Sequence, residues 1–139
     1  MRFTKHFSVS CVLVAGVLLL SGKVSRPAGA GPRVINVIAD KDNRYKVPGQ
    51  ANPVITVKKN EVIKLHITAH KATEWDKDGT VHSFTIKELK DQGWDLRLKE
   101  GVQDFTLAAP ADAGEYQIEC TVKCGDGHDD MKMKLIVTE

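Results

Sequence analysis

Near the carboxyl end of the chain, four side chains that bind soft or borderline metal ions fall within twelve residues. They follow the pattern C-x3-C-x3-H-x2-M and are Cys120, Cys124, His128 and Met131. Thiolate, imidazole and thioether groups together favour copper, and zinc next, over the hard cations that prefer oxygen. Glycines at positions 125 and 127 allow the backbone to fold tightly enough for such closely spaced ligands to converge. The segment therefore predicts a metal site.

A second imidazole is available from His82, 38 positions before Cys120. It belongs to residues 81–86 (VHSFTI), which have the composition of a strand. A remote histidine combined with a compact Cys/His/Met loop between two late strands is the arrangement by which copper sites lie at one end of a β-sandwich. Whether the chain supplies such strands depends on the pattern of the surrounding residues.

The chain after residue 30 is predicted to be a succession of short strands. Residues 61–69 give the clearest pattern, because Ile63, Leu65 and Ile67 alternate with mostly polar residues, as in a half-buried strand. The other predicted strands are residues 34–39, 54–57, 81–86, 94–98, 102–107, 115–120 and 132–137. Seven or eight short strands without a helical segment predict an all-β, antiparallel Greek-key β-sandwich.

The first 30 residues differ in character from the rest of the chain. They contain four basic residues and no acidic one, an unbroken apolar run at residues 12–20, and small residues at 28–30. These are the three parts of a secretory signal, and we expect cleavage after Ala30. The alternative is a retained anchor, although the apolar stretch is shorter than the roughly 20 residues of a membrane-spanning helix. The sequence predicts a periplasmic or otherwise exported protein, attached to a membrane only if this segment is retained.

Removal of the signal changes the composition of the chain. The formal charge of +2 becomes −2, with 16 basic and 18 acidic side chains among residues 31–139. A nucleic-acid-binding protein needs a basic surface, so that class is excluded. The remaining 109 residues suit one domain with a two-layer core. Cys11 leaves with the signal, so Cys120 and Cys124 are the two cysteines of the mature domain.

The residues alone leave three other interpretations of the motif open. Cys120 and Cys124 form a disulfide in the first, which leaves His128 and Met131 unexplained. The second is a zinc site built from the two cysteines and two histidines, which leaves Met131 unused. The third is a mononuclear blue-copper site with His82, Cys124, His128 and Met131, which leaves Cys120 as an unused thiol.

Residues 34–137 resemble a cupredoxin. The loop is similar to the binuclear CuA motif of cytochrome c oxidase subunit II and of the C-terminal domain of nitrous-oxide reductase. Residues 81–84 (VHSF) resemble the first-ligand strand of that family. Residues 114–116 (GEY), which precede Cys120, also stand at the spacing of the family. The resemblance covers nearly the whole predicted mature chain.

The resemblance implies two copper ions that share one unpaired electron in a mixed-valence centre. It assigns the bridging sulfurs to Cys120 and Cys124. It assigns one imidazole to each copper ion, from His82 and from His128. Because strands would hold these ligands, little rearrangement is expected on reduction, which favours fast electron transfer.

The resemblance also implies two weaker ligands. Met131 would supply an axial thioether to one copper, and the backbone carbonyl of Val122 would bind the other. The loop departs from the more neutral loops usual in the family because it carries Asp126, Asp129 and Asp130. These carboxylates are expected either to be simply solvated or to attract a cationic redox partner.

The implied function is electron transfer and not catalysis. We expect an exported electron carrier that passes single electrons between redox partners, such as a c-type cytochrome and a terminal acceptor. One alternative is a subunit II-like module of an oxidase complex. Another is a copper-handling protein that exchanges the metal with a copper-insertion protein. The sequence contains no Ser-His-Asp arrangement or phosphate loop, and 109 residues leave no room for the additional domain of a nitrous-oxide reductase.

Overall fold

The computed structural model describes residues 29–139. The predicted export signal, apart from its last two residues, lies outside the described residues. The nine strands of this described part are β1 Arg33–Asp40, β2 Arg44–Lys46, β3 Val54–Lys58, β4 Val62–Ala69, β5 Thr80–Thr85, β6 Asp95–Lys99, β7 Gly101–Ala108, β8 Gly114–Glu119 and β9 Lys132–Thr138. Two short 3-10 helices cover Lys87–Gln92 and His128–Asp130. Among residues 29–139, no helix has the length and apolar character needed to cross a bilayer.

The strands form two sheets, which confirms the predicted all-β sandwich. The four-stranded sheet has the order β2-β1-β4-β7, and the five-stranded sheet has the order β3-β9-β8-β5-β6. The expectation of purely antiparallel pairing is wrong, because β1 is parallel to β4 and β3 is parallel to β9. The chain crosses to the second sheet as β3 before it returns as β4, and such a crossover lets β4 lie beside β1 in the same direction.

The predicted count of seven to eight strands is also wrong. The additional strand is β2, which pairs antiparallel with the end of β1, where Ala39 lies opposite Tyr45. Its three residues lie in a polar stretch that shows no apolar alternation. Pairing with β1, and not its own periodicity, makes this segment a strand.

The hydrophobic core lies between the two sheets. Ile63, Leu65 and Ile67 of β4 are fully buried, as the alternation predicts. Phe84 and Trp94 are the largest buried side chains, and the Trp94 indole N–H donates to the Ala108 carbonyl at 3.2 Å. The core thus joins both sheets and closes the side of the sandwich next to β7.

The strand β5 is the element that positions the predicted first ligand. All six of its residues are buried, including the polar residues Thr80, His82, Ser83 and Thr85. It pairs with β6 along its length, but it pairs with β8 only where Thr85 lies opposite Glu119. Beyond that point the segment that follows β8 takes the place of a strand beside β5. This segment, residues 120–131, is called the cysteine loop below.

Candidate metal centre

His82 is fully buried in β5, and its two ring nitrogens have different surroundings. Nε2 lies 2.9 Å from the backbone carbonyl oxygen of His70. A carbonyl oxygen only accepts, so Nε2 donates this hydrogen bond and Nδ1 is the nitrogen left to face a metal. This Nδ1 is buried and has no hydrogen-bond partner among the residues that the structure describes. Metal-binding histidines characteristically donate their second N–H to a carbonyl in this way, so His82 fits the role of a ligand through Nδ1.

Two thiols lie beside that imidazole. The ligand atoms of His82, Cys120 and Cys124 all lie within 4.8 Å of one another. Both cysteines are buried and free, with their Sγ atoms 3.9 Å apart. Metal–sulfur bonds of about 2.3 Å allow both sulfurs to reach an ion between them. The donor set of one imidazole and two thiolates suits a soft or borderline ion.

The other predicted ligands lie close to this group in the chain. Nδ1 of His128 is 3.5 Å from Sγ of Cys124, so His128 extends the cluster on that side. The carbonyl oxygen of Val122 is 3.2 Å from Sγ of Cys120. Met131 is fully buried, and its backbone carbonyl accepts a hydrogen bond from the N–H of Cys120 at 3.1 Å. The roles of these three residues as ligands stay predictions.

The two thiols share their protons unequally. A hydrogen bond from Cys124 to Cys120 holds the pKa of the Cys120 thiol far below its usual value, against the opposing effect of burial. The same hydrogen bond, together with burial, raises the pKa of Cys124. The pair thus loses one proton easily and keeps the second, as expected for two coupled buried acids. A cation between the sulfurs would favour the loss of both protons.

Hydroxyl groups on β5 hold the beginning of the cysteine loop. The N–H of Ser83 donates to Sγ of Cys120 at 3.4 Å, and the Ser83 hydroxyl oxygen accepts from the N–H of Thr121 at 2.8 Å. Thr85 donates to the same hydroxyl at 3.0 Å, and the Tyr45 hydroxyl donates to the Ser83 carbonyl at 2.5 Å. Burial raises the pKa of Tyr45, so its hydroxyl keeps the proton that it donates. These residues connect the strand of His82 to the loop of Cys120.

Sequence reasoning missed this hydroxyl network. Ser83 directly follows a predicted ligand and Thr121 directly follows another, and these positions were the available signal. Nothing in the sequence indicates that Tyr45, 38 positions before Ser83, completes it. The partner is brought in by β2, the strand that the sequence did not predict.

The loop between β4 and β5 packs against the cysteine loop from outside. The N–H of Glu74 donates to the Cys124 carbonyl at 3.3 Å. Gly125 has a φ of +116°, and a Cβ there would lie 2.0 Å from Oγ1 of Thr73, so this position requires glycine. Trp75 belongs to the same loop between β4 and β5. Its side chain is 48% exposed, with Nζ of Lys71 3.3 Å from the ring centroid.

The acidic side chains of the cysteine loop face solvent. Asp126, Asp129 and Asp130 are exposed. His66 belongs to β4. Its half-exposed ring lies on the outer face of the four-stranded sheet, where Nδ1 is 2.7 Å from an Asp104 carboxylate oxygen.

These features define a cupredoxin-like β-sandwich with a buried His/Cys/Cys cluster at the end where β5 and β8 separate. No protein-family model and no curated protein matches the chain. Solved structures confirm the predicted cupredoxin-like fold, and they include copper domains of cytochrome oxidase subunit II as well as cupredoxins. His82, Cys120 and Cys124 could form a CuA-like site within that fold.

Three structural neighbours illustrate the likeness. A heme-copper terminal oxidase has a TM-score of 0.56 at 18% identity, over 78% of this chain and 66% of that chain. The periplasmic domain of subunit II of cytochrome oxidase from Bradyrhizobium japonicum has a TM-score of 0.55 at 16% identity, over 77% of this chain and 84% of that chain. Auracyanin B has a TM-score of 0.51 at 19% identity, over 81% and 94%. The chain thus spans slightly less than two thirds of the oxidase chain, and the likeness is one of fold.

Proposed function

We propose that the protein is an exported electron carrier with a binuclear CuA-type copper centre. The observation that carries the proposal is the buried Nδ1 of His82, which has no hydrogen-bond partner within residues 29–139 and lies within 4.8 Å of the thiols of Cys120 and Cys124. A disulfide between Cys120 and Cys124 would leave this nitrogen without a partner. A soft metal ion satisfies the nitrogen and both sulfurs together.

The proposed ligands come from the strand β5 and the cysteine loop. They are His82, Cys120, the Val122 carbonyl, Cys124, His128 and Met131. When bound, the copper ions would supply a one-electron redox couple shared between two metals. The protein buries His82 and both cysteines and ties the start of the cysteine loop to β5 by hydrogen bonds, so the ligand positions are expected to change little with charge. Filled protein positions leave no open site for a substrate, which argues for electron transfer over catalysis.

The proposal extends to location and partners. Residues 1–30 would direct export to the periplasm and be removed, and residues 31–139 would be the copper domain. The exposed carboxylates around His128 favour a redox partner with a basic surface, such as a c-type cytochrome. Attachment to a membrane would require that residues 1–30 be retained.

A second candidate is a subunit II-like module of a terminal oxidase. The likeness to the Bradyrhizobium subunit II domain favours it, since this chain covers 84% of that domain. The two candidates differ in what accompanies the protein in its native membrane fraction. Co-purification with haem-containing subunits, together with a retained amino terminus, would select the oxidase module.

Copper content and electron paramagnetic resonance test the binuclear centre. We expect two copper ions per purified chain and a signal from one electron shared over two copper nuclei. Cys120→Ser should leave at most one copper ion with the signal of a single nucleus, because one bridging sulfur is lost. One copper ion per wild-type chain, or preferential retention of zinc, would contradict the proposal.

Two histidine substitutions provide a matched pair. His82→Asn should release copper, because it removes the buried Nδ1 that faces the thiols. His66→Asn is the control, since His66 bonds Asp104 on the outer face of the other sheet. Equal copper loss in both variants would show that reduced stability, and not a lost ligand, explains the result.

A further inference from the structure

The turn between β1 and β2 contains a buried asparagine in an unusual conformation. Asn43 is 4% exposed and has a φ of +56°, the left-handed region that non-glycine residues rarely adopt. Its N–H donates to the Asp40 carbonyl at 3.0 Å and closes the turn. Asparagine tolerates this conformation better than most residues, so the turn accounts for the backbone of Asn43. It does not account for the burial of its side chain.

The side chain of Asn43 reaches the cysteine loop at Asp126, 83 positions further along the chain. Its Nδ2 donates to the backbone carbonyl of Asp126 at 2.6 Å. A Cβ placed on Gly125 would lie 3.6 Å from this nitrogen, and one on Gly127 would lie 3.8 Å from the Cβ of Asn43. The amide therefore fills the space that the two glycines leave. The carbonyl it holds lies two residues before His128.

The segment around Asp126 is otherwise tied mainly to its own loop. The N–H of His128 donates to the Gly125 carbonyl at 3.1 Å, and the N–H of Asp130 donates to the Gly127 carbonyl at 3.0 Å. Within residues 29–139, Asn43 supplies the one side-chain hydrogen bond recorded to the backbone of residues 125–127. The amide thus connects this turn to the turn between β1 and β2. Local hydrogen bonds alone would leave the turn free to shift.

The other end of the amide strengthens the case for a positioning role. Oδ1 of Asn43 is buried and, in the described part of the chain, has no hydrogen-bond partner. An unpaired buried acceptor lowers the stability of the folded protein. Among the described residues, the hydrogen bond to the Asp126 carbonyl is thus the one recognised polar contact of this buried amide.

We propose that Asn43 is a positioning residue for the cysteine loop. By holding the Asp126 carbonyl, it keeps the following turn in the place where Nδ1 of His128 lies 3.5 Å from Sγ of Cys124. The effect on copper rests on the proposed function, because it assumes that His128 is a ligand. The effect on the loop does not, so the metal-free protein tests it separately.

Two asparagine-to-glycine substitutions isolate the amide. Asn60, in the turn between β3 and β4, has a φ of +58° and an exposed side chain, which makes it a close backbone match for Asn43. Glycine adopts this φ without strain, so both substitutions have a similar backbone effect. Only Asn43→Gly removes the hydrogen bond to Asp126. Asn43→Asp is a third variant of the same size whose carboxylate cannot donate that bond.

The first measurement is amide hydrogen exchange in the reduced, metal-free protein. We expect exchange at the N–H groups of His128 and Asp130 to accelerate about tenfold in Asn43→Gly and Asn43→Asp, the factor that corresponds to a lost hydrogen bond. Asn60→Gly should change these rates less than about twofold. Unchanged exchange in Asn43→Gly, or equal acceleration in Asn60→Gly, would overturn the proposal.

The second measurement is the rate at which copper passes from the loaded protein to a chelator. Asn43→Gly should release copper about tenfold faster than the wild type, while Asn60→Gly should match the wild type. If Asn43→Gly releases copper at the wild-type rate, the role of Asn43 toward the ligand is wrong. If the wild type binds no copper but exchange still accelerates in Asn43→Gly, the proposed function fails and the hold on the loop stands.

Discussion

Two strands of similar length, β4 and β5, are buried for different reasons. In β4 buried and partly exposed residues alternate, so Ile63, Leu65 and Ile67 face the core while the residues between them face outward. In β5 all six residues are buried, and four of them are polar. The burial of β4 follows from its own period-2 pattern. The burial of β5 follows from polar partners elsewhere in the chain.

The partners of β5 are groups that its sequence does not reveal. The His82 ring is held by the His70 carbonyl, and the Ser83 hydroxyl accepts from the N–H of Thr121. The Ser83 carbonyl accepts from the hydroxyl of Tyr45. Buried polar groups remain stable only when such partners are present. The strand β4 therefore serves as apolar scaffold, and β5 serves as the polar support of the site.

The largest expected effect comes from β4. Leu65→Ala should lower the free energy of unfolding by about 2–5 kcal/mol, because it removes a fully buried side chain from the core. The neighbouring control Lys64→Ala removes only an exposed ion pair with Asp104 and should cost less than about 1 kcal/mol. Urea unfolding of the metal-free protein measures both. Similar costs in the two variants would remove the distinction between the two faces of β4.

A hydroxyl group that supports β5 should have the next largest effect. Tyr45→Phe keeps the ring that packs edge-on against Phe84, with centroids 5.3 Å apart, but removes the donor to the Ser83 carbonyl. The unpaired buried carbonyl should cost about 1–3 kcal/mol in urea unfolding. Tyr116→Phe is the matched control. Its hydroxyl donates to the Asp112 carbonyl at the surface, where water can replace it, so the cost should stay below about 1 kcal/mol.

A smaller effect is expected from the hydroxyl of β5 itself. Ser83→Ala removes the acceptor for the N–H of Thr121 and should lower the free energy of unfolding by about 1 kcal/mol. Thr68→Ala removes a hydroxyl from the outer face of β4 and should change it by less than about 0.5 kcal/mol. Both values come from urea unfolding of the metal-free protein. If Thr68→Ala costs as much as Ser83→Ala, polar support is not particular to β5.

The contrast between β4 and β5 also explains how much of the fold could be predicted. Runs of apolar, β-branched and aromatic residues located eight of the nine strands of residues 29–139, whether or not those residues alternate. The strand β2 was missed because Arg44–Lys46 becomes a strand through pairing with β1. The parallel pairs were missed because the direction of a strand depends on how the chain crosses between sheets, which a local pattern does not encode.

The candidate site likewise has ligands that could be predicted from the sequence and supporting residues that could not. Chemistry and spacing alone single out the cysteines and His82, and the structure brings these three together. The supporting residues Tyr45 and Asn43 were not predicted. Each makes one long-range hydrogen bond, to Ser83 and to Asp126 respectively, from a stretch whose polar residues resemble an ordinary loop. Such contacts depend on the tertiary fold, so a single sequence gives no sign of them.

The smallest expected effect concerns the residue that leads into β5. Asp78 accepts hydrogen bonds from the N–H of Thr80 at 2.9 Å and from its hydroxyl at 3.0 Å, and it pairs with Lys99. These bonds, led by the one from the Thr80 N–H, lower the pKa of Asp78 from 3.8 to about 2. Because the pKa is lower in the folded state, the stabilisation is complete above pH 3.8 and disappears as the pH falls toward 2.

Asp78→Ala should therefore unfold more easily than the wild type at neutral pH, and this difference should shrink between pH 4 and pH 2. The effect should be small because the carboxylate is exposed and salt screens its charge. Asp91→Ala, an exposed residue of the first 3-10 helix, controls for the general effect of removing one negative charge. If the difference in stability between Asp78→Ala and the wild type persists unchanged at pH 2, Asp78 contributes through packing and not through its charge. The polar support of β5 would then not include Asp78 and would start within the strand.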